Sequence, residues 1–259
     1  MSTFAPNSDA IRQPHHSLDE ALALSRLEDR ISPLLSVIAG MVDLTGFFML
    51  GNIFTAHVTG NLVVVAALAV RGGPVNLAQI IAIPVFILAL AAVWLVARAF
   101  GRHGCALARL LLVVQFLLLA VVLVFSVITK PSASPHGLIA GIAAMIAVSA
   151  MACQYALFRL AMPRAVSTSV MTGNLTNTVL SLMDASSPSH ELMPVDAGRL
   201  KRSVYLLVGF LVGCVVAAAA ISVLGDWAWS LPVALAALAI GLATLWTTTG
   251  NFPRRRDQR

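Results

Sequence analysis

The chain has 259 residues, 59% of them hydrophobic and only 11% charged, with a mean hydropathy of +0.89 and a formal net charge of +6 at pH 7. Soluble domains average about a quarter charged residues, so an ordinary soluble domain is excluded and an integral membrane protein is indicated. The basic residues fall in short segments between apolar stretches, so their excess reports topology rather than nucleic-acid binding.

The segment Met1 to Arg30 is polar, and no cleavable signal peptide is expected, because the first apolar run begins only at Ile31. Ser17-Leu-Asp-Glu20 reads as a capping box that starts a short amphipathic helix through about Asp29, in a solvated or interfacial tail. The stretch from Ile31 to Val70 carries one formal charge, Asp43. As one helix it would be about 60 Å long, twice a bilayer core of about 30 Å, so the segment must fold back. A carboxylate at membrane depth costs several kcal/mol, so Asp43 should face the interior, either coupling an ion or proton, contacting a solute, or making a structural hydrogen bond.

Thr55-Ala-His-Val-Thr59-Gly60-Asn61-Leu62 follows, and it recurs as Thr168-Ser-Val-Met-Thr172-Gly173-Asn174-Leu175, with T-x-x-x-T-G-N-L shared at one fixed offset and no gap. Each copy follows one apolar segment and precedes two more, so the chain reads as two related halves. Gly60 and Gly173 let the backbone bend or approach closely. Asn61 and Asn174 can cap a half-helix or offer a donor and an acceptor to a ligand, and a helix beginning there would present free N–H groups to an anion. Helix capping and close packing alone are the plainer reading of the same residues. His57 stands where the second copy has Val170 and can titrate near neutral pH or pair with Asp43.

Five further stretches lack Lys, Arg, Asp and Glu: 72–97, 110–128, 137–158, 203–224 and 227–253. Each reaches or approaches the roughly 20 residues of a membrane span. Pro84 is a candidate kink in the first of them. Gly137-x-x-x-Gly141 and Gly209-x-x-x-Gly213 are faces for close helix packing. Gln154 follows Asp43 at almost the offset that separates the two motif copies, a neutral counterpart in the second half, and Arg159 beyond it should snorkel to the interface. Residues 165–183 are uncharged yet hold nine Ser, Thr or Asn residues, which suits a helix facing a cavity or other helices rather than lipid.

Charge counting decides the topology. If neither motif segment crosses, there are six spans near 31–50, 77–98, 107–128, 137–158, 203–224 and 227–248, with 15 Lys and Arg residues inside and only Arg71 and Lys130 outside. If both cross, the split falls to 12 against 5, so the positive-inside rule favours six with both termini cytoplasmic. Three crossings per half turn the second half over. The expected fold is therefore an all-α integral membrane protein of six transmembrane helices in two inverted three-helix repeats, each with a T-G-N half-helix or re-entrant segment, a recurring plan of transporters. Its parts are a cytoplasmic tail at 1–30, repeat 1 at 31–128, a linker at 129–136, repeat 2 at 137–250 and a basic cytoplasmic tail at 251–259.

Cys105, Cys153 and Cys214 are isolated and define no disulfide framework or zinc site. The chain has no Walker lysine loop, G-x-G-x-x-G, H-E-x-x-H or G-x-S-x-G, so no cofactor, metal or catalytic role is expected.

Gly40-Met-Val-Asp43, Leu44-Thr45-Gly46-Phe47, Gly51-Asn-Ile-Phe54 through Asn61, and Gln154 with Arg159 and the second block Thr168 to Asn174 resemble the YoaK-like family of bacterial inner-membrane proteins. The resemblance covers about 31 to 250 and implies that location, while the family is a domain of unknown function and implies no substrate. The expected function is a small-solute secondary transporter or channel-like permease. Its central site would use Asp43, His57, Thr59, Gly60, Asn61, Gln154, Thr172, Gly173 and Asn174, and its partners are the lipid bilayer and a small-molecule or ion substrate, with a homo-oligomer left open. The alternative is a non-transporting scaffold or regulatory partner, and an intramembrane enzyme is a distant third.

Overall fold

A computed structural model describes residues 9–72, 76–99, 101, 104–162, 171–186 and 197–249. Among them there is helix and no strand. Helix α1 spans Asp9–Met49, α2 Gly60–Arg71, α3 Leu77–Ala99, α4 Gly104–Thr129, α5 Leu138–Ala156, α6 Met171–Ser186, α7 Ala197–Leu224 and α8 Ser230–Thr249. Helix α5 continues as a π-helical turn, Leu157–Ala161.

The tail and the first span are one helix. The expected capping-box start at Ser17 is corrected, because α1 is already helical at Asp9 and runs unbroken into the apolar segment. Nothing between His15 and Ser32 is Gly or Pro, so no residue there stops it. Ser32 Oγ donates to the Glu28 carbonyl at 2.6 Å, and Asp29 pairs with Arg202 of α7 at 2.9 Å, fixing this junction.

Among the described residues five helical runs are long and apolar enough to cross a membrane: Leu27–Met49, Leu77–Ala99, Gly104–Thr129, Leu138–Ala161 and Leu200–Leu245. The chain is thus a membrane-embedded helical protein. The expected spans 203–224 and 227–248 fall, but for the last three residues, together in the last run, whose 46 residues hold most of α7, a 3-10 turn at Gly225–Trp229 and most of α8. At about 1.5 Å per residue that run is about twice the thickness of a bilayer core.

The spans of α1 and α5 are the most buried, at 67% and 61%, against 11% for α3. Helix α5 achieves this with small residues: Ala140, Ala143, Ala144, Ala147, Ala150 and Ala152 are all fully enclosed. It packs on α3, α4 and α1, while α1 packs on α7 and α8, and α4 lies against α8.

The α1–α7 contact is a backbone approach. A Cβ at Gly40 would collide with the Phe210 carbonyl, one at Gly213 with the Val37 carbonyl, and one at Gly209 would lie 3.0 Å from the Pro33 carbonyl. Ser36 Oγ donates across this seam to Leu206 O at 2.6 Å. The Gly209-x-x-x-Gly213 face is therefore the packing face its spacing indicates. In Gly137-x-x-x-Gly141 only Gly141 meets another helix, at Ala78, because Gly137 precedes α5 and faces Ser134.

Helix α1 stops where the chain turns left-handed, at Gly51 (φ +82°) and Asn52 (φ +59°), with Asn52 N–H closing on Phe47 O at 2.9 Å. Only glycine fits at 51, since a Cβ there would lie 2.5 Å from the Pro135 carbonyl. Asn76 Nδ2 donates to Gly51 O at 3.3 Å and Gln79 Nε2 to Asn52 O at 3.0 Å. The segment that carries the first motif thus leaves and re-enters at the same end of the bundle.

Candidate functional site

One and a half turns before the end of α1, Asp43 points at the returning chain and is 4% exposed. Its Oδ1 accepts the backbone N–H groups of Thr55 and Ala56, both at 2.8 Å, and of His57 at 3.4 Å. Its Oδ2 lies 2.7 Å from His57 Nδ1. Successive amides converging on one carboxylate form an anion-binding concavity, which offsets the cost of a buried charge. The carboxylate only accepts, so Nδ1 donates and Nε2 of His57 is left without a hydrogen bond among the described residues. The ring is 28% exposed and stands edge-on to Phe210 of α7, centroids 5.1 Å apart.

Asn61 secures the other flank of the same loop. Its Oδ1 accepts Phe54 N–H and its Nδ2 donates to Phe54 O, each at 2.8 Å, and the side chain is fully buried. Asn61 is thus a clamp on Phe54, with both ends of its amide used there. Thr59 is exposed and directly precedes α2, with no side-chain cap bond. Gly60 does not adopt a left-handed φ. It gives room instead, since a Cβ would lie 3.0 Å from the Phe54 ring.

From α5, Tyr155 donates its hydroxyl to the Ala56 carbonyl at 2.6 Å and stands edge-on to Phe86. The sequence reading missed Tyr155. Its signal was there, as one of two tyrosines in the chain, set next to Gln154 in an apolar span. Gln154 itself ties helices together: its Oε1 accepts from Gln115 Nε2 at 2.7 Å and its Nε2 donates to Leu35 O at 3.0 Å. It therefore joins α5 to α4 and α1 in the core.

The second motif copy lies on α6, which packs on α7. Thr172 is exposed, Gly173 half-buried and Asn174 buried, and the carbonyls of Thr172 and Asn174 accept from Thr176 Oγ1 (3.0 Å) and Thr178 Oγ1 (2.8 Å). Thr168 and Ser169, which open that copy, lie outside the described residues, as does Ser167. Both copies place T-G-N at the start of a short helix, α2 or α6.

A cavity of about 810 Å³ adjoins the first copy, between the loop, α2, α3 and α5. His57 and Thr59 line it from the loop, Phe86, Leu90 and Trp94 from α3, and Tyr155 and Arg159 from α5 and its π turn. Its walls are chiefly apolar. Asp43, Asn61, Gln154 and the described residues of the second motif copy, Thr172, Gly173 and Asn174 among them, are not lining residues, so the structure brings His57 and Thr59 to the cavity, with Asp43 behind His57. Among the described residues no group of three or more His, Cys, Asp or Glu side chains could hold a metal ion.

A helical membrane protein with a folded-back loop–helix element and a side cavity is the class that fold and site define. The chain belongs to the family described as "Protein of unknown function (DUF1275)", whose model matches residues 31–243, consistent with the YoaK-like resemblance of its sequence. No curated protein and no solved structure matches it.

Proposed function

We propose that the protein is a secondary transporter or channel-like permease for a small solute, in the bacterial inner membrane. The observation that carries this reading is His57, fixed by Asp43, at the wall of the cavity beside the first T-G-N turn. Its volume is of the size that holds small molecules, about 300–1,000 Å³. A proton-exchanging side chain oriented by a carboxylate is a device for coupling solute binding to protonation.

The packing supports an inverted duplication with six crossings. Exchanging α1 with α5, α2 with α6, α3 with α7 and α4 with α8 turns the α1·α7 contact into α5·α3, α4·α5 into α8·α1, and α2·α3 into α6·α7, all of which occur. On this reading α7 and α8 each cross once, reversing at the Gly225–Trp229 turn. Both termini are cytoplasmic, and α2, about 18 Å long, is a half-membrane helix beside the re-entrant loop.

The rival reading, a non-transporting scaffold or regulatory partner, draws on Asn61 and on Asp43 Oδ1, whose bonding is used entirely to hold the loop. Thermal stability of the purified protein against a panel of small metabolites and ions separates the two, because a ligand that binds the folded state raises apparent stability by mass action. The permease reading expects a specific hit that Asp43→Asn abolishes, and flux of that compound into vesicles. No shift over a broad panel and no flux favours the scaffold. No reaction is assigned to the Asp43–His57 pair.

A further inference from the structure

The chemistry of the cavity narrows what it holds. Its apolar wall is built by Ile83, Phe86, Leu90 and Trp94 of α3 and Phe158 of α5's π turn, while among the described residues no Asp or Glu lines it. Among the described residues the one formally charged lining residue is Arg159, which has no ion-pair partner there. It sits in the π-helical turn Leu157–Ala161, a local widening that recurs at functional sites. Arg159 is exposed beside this wall, so its guanidinium is free to make a charge-assisted contact with an anion. At about 810 Å³ the space is far larger than an inorganic anion needs.

We propose that this cavity binds an amphipathic organic anion, its acidic head on Arg159 and its apolar body along Phe86, Leu90 and Trp94. The inference rests on the permease reading and names its solute class. The same chemistry, an acid group on an apolar chain, belongs to a free carboxylate and to an anionic lipid, and the test must tell them apart.

Trp94 lines the cavity and is a built-in reporter. The full chain in phosphatidylcholine nanodiscs is titrated with a medium-chain carboxylate brominated at its tail, with the uncharged methyl ester of the same acid, and with brominated phosphatidylglycerol, reading tryptophan quenching. Trp94→Phe identifies the Trp94 contribution. Saturable quenching of Trp94 by the carboxylate at about tenfold lower concentration than by the ester is expected, as a charge-assisted contact requires. Arg159→Gln should weaken it about tenfold, Arg159→Lys should restore most of it, and Arg109→Gln, on α4 outside the cavity, should leave it unchanged. Saturation by phosphatidylglycerol that the carboxylate cannot displace supports the anion class with the bilayer as its source. Equal quenching by ester and carboxylate, or indifference to Arg159→Gln with the protein folded, overturns the proposal. The readout contains no flux. If it fails while an Asp43-sensitive solute is still carried into vesicles, the solute class falls and the permease stands; if the anion binds but is never moved, the permease falls and the site stands.

Discussion

Asp43 and His57, one on α1 and one on the loop that follows it, face each other at 2.7 Å between Oδ2 and Nδ1, and the same carboxylate holds three backbone N–H groups of the loop that carries the histidine. One side chain thus fixes both the path of the loop and the tautomer of its imidazole. Asp43→Asn keeps one acceptor for the amides but turns a donor toward Nδ1, so the imidazole must flip its proton to Nε2 or lose the bond. The expected loss of stability is about 1.5–3 kcal/mol, the range for a hydrogen bond to a charged group, and Asp43→Ala should lose more. Chemical denaturation in detergent measures the difference.

Asn61 and Phe54 form a reciprocal pair in which one amide satisfies both backbone groups of one residue. Asn61→Asp keeps the acceptor for Phe54 N–H but sets a second oxygen against Phe54 O. It should therefore be no better than Asn61→Ala, each costing about 1–3 kcal/mol through unsatisfied buried groups. If Asn61→Asp retained wild-type stability and resistance to proteolysis at the loop, the clamp would not be what holds residues 53–59.

Much of this centre was legible in the sequence, because an isolated acid in an apolar run and a histidine in a repeated polar motif are both costly and must find partners. What Asn61 does was not, since its partner is the backbone of Phe54 and the pairing exists only once the chain has curled at Gly51 and Asn52. Gln154 matched Asp43 by position along the chain, but its bonds to Gln115 and Leu35 were not legible, because hydrogen-bond partners are set by which helices meet. The cavity was illegible for a similar reason: its wall joins Phe86 and Trp94 of α3 to Phe158 of α5's π turn, and hydropathy does not distinguish residues facing a void from residues facing lipid. The join of the tail to the first span was missed because the capping box at Ser17 is a local signal, overridden by a helix that starts at Asp9.

The α1–α7 seam should tolerate almost no added volume. Gly213→Val must push its side chain into the Val37 carbonyl, which is backbone and cannot swing aside, so a loss of about 1–3 kcal/mol or more is expected. Gly241→Ala, whose new methyl would meet nothing within 4 Å, should cost nothing or stabilise α8 slightly. Parallel melting curves of the two variants test the contrast. Equal behaviour would mean the seam is not in backbone contact.

Tyr155 links α5 to the motif loop through one bond, hydroxyl to Ala56 carbonyl at 2.6 Å. Tyr155→Phe preserves the ring against Phe86 and removes only the donor, so about 0.5–1.5 kcal/mol is at stake. If the loop is what presents His57, the same substitution should weaken any Asp43-dependent ligand hit in the thermal-shift panel more than it lowers the melting temperature of the unliganded protein. An unchanged hit would separate the loop's position from binding.

Ser132 Oγ donates to Asp226 Oδ2 at 2.8 Å, which joins the turn between α4 and α5 to the turn between α7 and α8. Whatever the orientation of the bundle, these two turns must then lie on one side of the membrane. Arg98 and Arg202 stand near the opposite helix ends, where the positive-inside rule puts the cytoplasm. Single cysteines at the exposed positions Ala133 and Trp227 should therefore react with a membrane-impermeant thiol reagent added to intact cells, and one at exposed Ala99 only after permeabilisation. Labelling of Ala133→Cys and Trp227→Cys from opposite sides would break the Ser132–Asp226 contact outright. Labelling of both from outside, with the C terminus inside, would require the 46-residue run Leu200–Leu245 to cross twice, and six crossings would follow.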